Sequence, residues 1–307
     1  MNAYQPGYLE LHQTGELQKR AATAYTHLSV CDVCALKCPV DRLAGKLGAC
    51  RTGVKVKVSS FSPHHGEEAP LSGWNGSGTI FFTRCNLSCQ FCQNHQISQT
   101  DSGDEVSPED LANIMLMLQA RGCHNINFVS PSHVIPQILS ALVLAVEAGL
   151  NIPLVYNTGG YDSLSILRLL EGIIDIYMPD MKYGDAGIAL KYSRVPNYPQ
   201  INQLAVKEMH RQVGDLQIDE HGLATCGLLV RHLVLPNNLA GTETIARFLA
   251  NEISKNTYLN IMSQYYPCYK ASQYPELNRM VTTLEYQNAV QMAMLSGLFR
   301  FDGLEDL

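Results

Sequence analysis

The stretch Thr79-Ile80-Phe81-Phe82-Thr83-Arg84-Cys85-Asn86-Leu87-Ser88-Cys89-Gln90-Phe91-Cys92 is the most informative part of the chain. A short apolar run opens directly into three cysteines spaced C-x3-C-x2-C. Thiolates are preferred ligands of iron–sulfur clusters, and a [4Fe-4S] cube presents four irons. Three cysteines in one tight loop hold three corners and leave one iron open. An open coordination position is what separates a reactive metal centre from a structural one. The competing readings are a zinc knuckle and three unrelated buried thiols. Structural zinc usually takes four protein ligands, and His95, three residues after Cys92, is the residue that would complete a Cys3His set.

Outward from this loop, six apolar runs recur, near 79–82, 126–129, 153–156, 174–178, 228–235 and 258–262. They are almost wholly apolar rather than alternating, as expected of parallel strands buried on both faces. Helical patterns separate most of them. Ser107-Pro108-Glu109-Asp110 reads as an N-cap, a first-turn proline and two acids at the positive end of a helix dipole. That helix stops at Gly122, and a second, about 134–148, stops at Gly149. A third helical stretch, 201–213, precedes a small hairpin at 216–226 that turns at Gly222. Alternating strands and helices imply right-handed βαβ crossovers. The expected fold is α/β, a partial (β/α)6 barrel with the cysteine loop at the C-terminal end of its first strand. A doubly wound open sheet is the alternative. The expected division is an N-terminal extension over 1–75, the barrel over 76–270 and a C-terminal helix packed on the barrel over 271–307.

A second cysteine group, Cys31-x2-Cys34-x3-Cys38-x11-Cys50, precedes the barrel. Four thiolates saturate a tetrahedral zinc or ligate every iron of a second cluster, and the spacing does not choose between them. Such a closed site would staple a small segment that lacks its own core. Lys37, Lys46 and Arg51 offset part of the thiolate charge. Cys123, Cys226 and Cys268 are scattered, and of these Cys268 alone follows a strand, where it can face a substrate. His64, His65, Glu67 and Glu68 form a polar group ahead of the first strand, suited to substrate contact or a supporting role and assigned no metal.

The net charge of −6 gives no support for a nucleic-acid surface. The apolar stretch 138–150 is too short to span a bilayer and contains Glu147. The first twenty residues carry no apolar signal core, and ten cysteines without an export signal point to metal binding in a reducing compartment. The expected location is cytoplasmic, without membrane or nucleic-acid partners.

The pattern Cys-x3-Cys-x-aromatic-Cys, with Phe91 before the third cysteine, resembles the signature of the radical S-adenosylmethionine (SAM) superfamily. The resemblance implies a partial (β/α)6 barrel and a [4Fe-4S] cluster on Cys85, Cys89 and Cys92. It implies that SAM caps the open iron through its amino and carboxylate groups. Reductive cleavage then yields a 5′-deoxyadenosyl radical that abstracts hydrogen from a substrate. The segments 31–51, 63–68, 77–82, 85–99, 124–133 and 156–161 together resemble one branch, the uncharacterised proteins similar to the pyruvate formate-lyase activating enzyme. That likeness implies an oxidoreductase whose target is a backbone glycine of a partner enzyme, reduced by flavodoxin or ferredoxin. A small molecule or a protein side chain is the alternative target, and a noncatalytic Fe–S or zinc scaffold the alternative class. Asp180-Met181-Lys182 resembles the Asp-x-Lys of the activating enzymes, which places Asp180 and Lys182 at the polar end of SAM. Arg231 or His232, in the segment ending at Pro236, and Asn157 are further expected SAM contacts. Where those enzymes carry an acidic motif this chain has Ser130-Pro131-Ser132, so Ser130 is the expected substitute.

Overall fold

The computed structural model describes residues 4–303. One sheet contains β1 (Val56–His64), β2 (Ser77–Phe82), β3 (Asp104–Val106), β4 (Ile126–Val129), β5 (Leu154–Thr158), β6 (Ile176–Pro179), β7 (Gln217–Ile218), β8 (Ala224–Leu233), β9 (Tyr258–Met262) and β10 (Arg300–Phe301). Their order is β10-β9-β8-β6-β5-β4-β2-β1-β3, with β7 paired to β8. The strands β2, β4, β5, β6, β8 and β9 are the six expected runs, and all neighbours among them are parallel. A doubly wound sheet reverses its strand order at a switch point. Here the order never reverses among the six parallel strands, and the path ends open at β3 and β10, as in a partial barrel.

The helices are α1 (Tyr8–Gln13), α2 (Glu16–Thr26), α3 (Ala69–Ser72), α4 (His95–Ser98), α5 (Pro108–Ala120), α6 (Ile135–Glu147), α7 (Leu164–Leu169), α8 (Ala186–Ser193), α9 (Tyr198–Val213), α10 (Thr242–Phe248) and α11 (Thr283–Leu295). Ser107 caps α5 in a reciprocal capping box with Asp110. Gly122 and Gly149 take positive φ just past α5 and α6, where a side chain would be strained. No helix among the described residues is long and apolar enough to cross a membrane.

Strand alternation sorts the barrel into two faces. Ile80, Phe128, Tyr156, Tyr177 and Val230 pack outward into the main core with the helices. Val155, Ile176, Met178 and Leu229 point inward and form a separate cluster with Leu71 of α3. Because β1 runs antiparallel to β2, the loop 65–76 that joins them lies at the N-terminal end of the parallel strands. It carries α3 across the barrel floor. Glu68, at the start of α3, accepts from Asn260 of β9 at 2.9 Å. At the other end, the Leu71 carbonyl accepts from Asn125, beside β4, at 2.9 Å.

The strands β1, β3 and β10 were not among the expected runs. The β1 sequence is half polar, holds Pro63 and is interrupted by a register shift between Val58 and Ser60. The expected fifth run begins earlier, at Ala224, because its first residues pair with β7 across the Gly222 turn.

Asp175, just before β6, accepts from Tyr4 at 2.6 Å and from the Leu154 amide at 2.8 Å. Burial pushes its carboxyl up to about 6. An unfolded aspartate titrates near 3.9, so between about pH 4 and 6 the folded state binds the extra proton. Stability from this group is therefore greatest below that window and is lost as pH rises through it, by about 3 kcal/mol. Urea unfolding of the wild type at pH 5 and pH 7, set against Asp175→Asn, should show this slope in the wild type and not in the variant.

Candidate functional site

The cysteine loop leaves the C-terminal end of β2. Its backbone is fixed from several sides. The Ser88 and Gln90 amides donate to the carbonyls of Ser193 and Tyr192 at 3.1 and 2.7 Å, and Asn86 donates to the Tyr161 carbonyl at 2.7 Å. Lys270, in the segment after β9, donates its amide to the Gln90 carbonyl at 2.9 Å. Phe91 is wedged edge-on between Tyr183 and Tyr265, with ring centroids 6.4 and 5.7 Å away. Each thiol has a polar neighbour: the Leu87 amide 3.4 Å from Cys85 Sγ, Ser193 Oγ 2.9 Å from Cys89 Sγ and Ser98 Oγ 3.1 Å from Cys92 Sγ.

Burial, with mutual repulsion among the three thiols, pushes Cys85 up to about 12. Burial likewise takes Cys89 to about 11, while Lys182 pulls it back down. Two thiols that resist ionisation, Cys85 and Cys89, would take the thiolate form most readily beside a cationic centre. Among the described residues no three Cys, His, Asp or Glu side chains converge on a single metal-ion position. A cube gives each thiolate its own iron, so convergence on one point is not what the loop requires.

Facing this loop is a chain of buried polar side chains inside the barrel. Arg231 of β8 donates to Asp180 Oδ1 at 3.0 Å and to Asn157 Oδ1 at 2.7 Å. Lys182 donates to Asp180 Oδ2 at 2.6 Å. Burial alone would raise Asp180, but Arg231 and Lys182 outweigh it and hold the carboxyl below its usual range. Burial would lower Lys182, yet Asp180 and Cys89 hold it above its usual range. Tyr198 and Asn202 of α9 fix the backbone beneath: both donate to the Asp180 carbonyl at 3.0 Å. Gly160 has φ +74°, and a side chain there would collide with Asn202 and the Asp180 carbonyl.

Of the residues singled out in the sequence, Asn157, Asp180, Lys182 and Arg231 meet in this one chain. Ser130 reaches it through its backbone, donating to the Asn157 carbonyl at 2.8 Å. His232 does not join them. It lies on the opposite face of β8 from Arg231, fully buried, with the Met181 carbonyl 2.7 Å from Nδ1 and Thr242 Oγ1 2.9 Å from Nε2. Both ring nitrogens are occupied by the fold, which leaves none for a cofactor.

A model of the radical SAM superfamily matches residues 79–249. The uncharacterized protein MJ0674 of Methanocaldococcus jannaschii is 34% identical over 274 residues, covering 86% of this chain and 74% of that protein. The chain belongs to the radical SAM superfamily. A [4Fe-4S] cluster and SAM are accordingly its cofactors, and the family's reaction is SAM cleavage at that cluster. Among solved structures, TYW1 with a lysine-pyruvate adduct bound is 11% identical with a TM-score of 0.45, covering 72% of this chain and 74% of its own. HydG, a maturase of the [FeFe]-hydrogenase, is also 11% identical, with a TM-score of 0.48 and coverage of 71% and 48%.

The upstream cysteines are neighbours ahead of the radical SAM barrel. Cys31, Cys34 and Cys50 are buried and Cys38 is half-buried. Burial pushes Cys34 up, and Cys50, Cys31 and Cys38 all add to the effect. Cys34 forms an isolated bridge with Asp162 after β5. Cys268 lies beside the radical SAM loop, its sulfur 3.5 Å from His95 Nδ1.

Glu67 and Glu68 adjoin the polar chain, 3.8 and 3.9 Å from the Arg231 guanidinium. The paired acids and Arg231 were each singled out in the sequence, but nothing there joined them across the 163 residues between Glu68 and Arg231. Breaking a buried ion network strands the remaining charges at a cost of about 3–5 kcal/mol. Arg231→Met should therefore lose that much stability in urea unfolding; a loss under about 1 kcal/mol would mean that these acids are solvated.

Proposed function

We propose that Cys85, Cys89 and Cys92 carry the [4Fe-4S] cluster and that Lys182 and Asp180 hold the amino-acid end of SAM. The observation that carries this reading is the Lys182 ammonium, placed beside Cys89 and tethered to Asp180 at 2.6 Å. When bound, the cluster and SAM supply a 5′-deoxyadenosyl radical able to abstract hydrogen. The chain's own residues bind and orient. Lys182 offers a cation to the SAM carboxylate, Arg231 keeps Asp180 ionised, and Asn157 fixes the far side of the guanidinium. Electrons come from a flavodoxin- or ferredoxin-class donor, in a cytoplasm where the ten unpaired cysteines stay reduced.

The activating-enzyme-like target, a partner's backbone glycine, is supported by Asp180-Met181-Lys182 and by the segment from Arg231 to Pro236. A small polar substrate is supported by the interior itself, where Glu67, Glu68 and Arg231 stand within one side chain of Asp180. That charged interior favours the small polar substrate. The four upstream cysteines close a second metal site that staples the N-terminal segment to the barrel.

Anaerobically reconstituted protein should give a [4Fe-4S] EPR signal that changes on adding SAM, and a reductant should release 5′-deoxyadenosine. Lys182→Ala should weaken SAM binding about tenfold or more by calorimetry, the scale of a charge-assisted hydrogen bond. Iron-loaded wild type that never cleaves SAM would speak for the scaffold class. A Cys85/Cys89/Cys92 triple-alanine variant should retain one metal site, with one zinc or about four irons by elemental analysis; a metal-free variant would remove the staple.

A further inference from the structure

The barrel floor carries more acid than its own cations answer. Facing the interior are the carboxylates of Glu67, Glu68 and Asp180, against the cations of Arg231 and Lys182. Lys182 is committed to Asp180, and Arg231 spends its close hydrogen bonds on Asp180 and Asn157. Glu67 and Glu68 are left at 3.8 and 3.9 Å from the guanidinium, beyond hydrogen-bond length. Glu68 uses one oxygen to accept from Asn260, while its other oxygen, Oε2, is buried without a partner. His64 is the remaining titratable neighbour of Glu67, whose carboxyl burial pushes up despite Arg231.

A second observation comes from the opposite wall. Asn127 of β4 is 0% exposed, and neither its side-chain oxygen nor its nitrogen has a partner. It lies on the inward face, between Thr79 and Val155 of the neighbouring strands. One step below it, Asn125 holds the end of α3, while the start of α3 lies under Asn260 and Arg231. An orphaned buried amide costs about 1–3 kcal/mol, which a bound water, ion or polar ligand group would recover. Unsatisfied groups thus lie on two walls of the interior: a carboxylate oxygen beside β8 and β9, and an amide on β4.

We propose that this floor is the substrate subsite and that it recognises a small molecule through a cationic nitrogen, an ammonium or amidinium group, held by Glu68 with Glu67 beside it. Asn127 takes a polar group at the far end. This rests on the reading that SAM binds between Lys182 and the cysteine loop. It places the substrate next to SAM, since the Arg231 Nε is 3.0 Å from Asp180 and 3.9 Å from Glu68. The SAM ammonium is the other source of the same chemistry. In the superfamily that group chelates the iron, on the side of the cysteine loop, whereas Glu68 enters from the opposite end of the strands.

The test uses the reconstituted holoprotein with SAM and two probes, agmatine and the uncharged 1,4-butanediol, followed by calorimetry. Agmatine should bind, and butanediol at least tenfold more weakly. Glu68→Gln should weaken agmatine about ten- to a hundredfold while leaving the SAM-induced EPR change intact. Glu67→Gln should show a smaller loss, and Asn127→Leu should bind agmatine more weakly while melting no lower than wild type. Equal binding of butanediol, or wild-type agmatine affinity in Glu68→Gln, would overturn the proposal. Loss of the EPR change in Glu68→Gln would also overturn it, by giving the carboxylate to SAM. Wild type with no SAM-dependent EPR change would instead defeat the SAM reading, and the agmatine comparison would still decide the subsite.

Discussion

The buried guanidinium of Arg231 is the interaction around which the barrel interior is organised. It sits on β8, bonds Asp180 after β6 and Asn157 in β5, and faces Glu67 and Glu68 on the floor. Three strand ends and the floor loop are thereby tied to one side chain. Removing any charge from water is expensive, and only close hydrogen bonding repays it. Arginine suits the position because its planar fork reaches several acceptors at once without losing its proton. The same bonds keep Asp180 ionised, and an ionised Asp180 fixes Lys182 beside the cysteine loop. The proposed substrate floor and the proposed SAM site are therefore electrostatically continuous.

That continuity follows from strand alternation. Along β6, Ile176 and Met178 point inward and so does Asp180; along β8, Leu229 and then Arg231. The lower interior is apolar and sealed by Leu71, and the layer above it is charged. A parallel barrel whose interior stayed apolar to the top would be a packed core with no room for chemistry. Here the change from apolar to charged occurs within two residues on each strand.

Much of this was legible in the sequence, and the limits have physical causes. The six parallel strands announced themselves because burial on both faces demands continuous apolar runs. The caps of α5 and α6 were readable because capping is local. Antiparallel β1 was not, since its polar residues and Pro63 suit an edge-like strand with a bulge. The charged group was half legible: Asp180 and Lys182 are two residues apart, and alternation puts them on one side. Arg231 and His232 are adjacent, and composition cannot say which faces inward. Register decides it, sending Arg231 to the interior and His232 to the Met181 carbonyl and Thr242. Asn127 was hidden in an apolar run, where a single polar residue reads as noise.

The two cysteine groups are also joined physically, through a residue that composition gave no reason to notice. Arg42 is 1% exposed and donates to the carbonyls of Gly53 and His133, with Cys31 Sγ 3.9 Å from its Nη1. Among the described residues it has no carboxylate partner. His133 in turn lies 3.2 Å, through Nε2, from the carbonyl of Thr83, two residues before Cys85. Burial, with Arg42 alongside, pushes His133 down to about 4, so its ring is neutral at pH 7 and adds no second charge. A buried guanidinium answered only by carbonyls and a thiol is poorly compensated. A tetrathiolate metal site carries net negative charge, and on the proposed reading it is the counter-ion that Arg42 otherwise lacks. The upstream site would then stabilise the entry to the radical SAM loop electrostatically as well as by stapling the chain. The cysteine spacing alone carries no hint of that coupling, because it depends on a cation that the fold brings to Cys31.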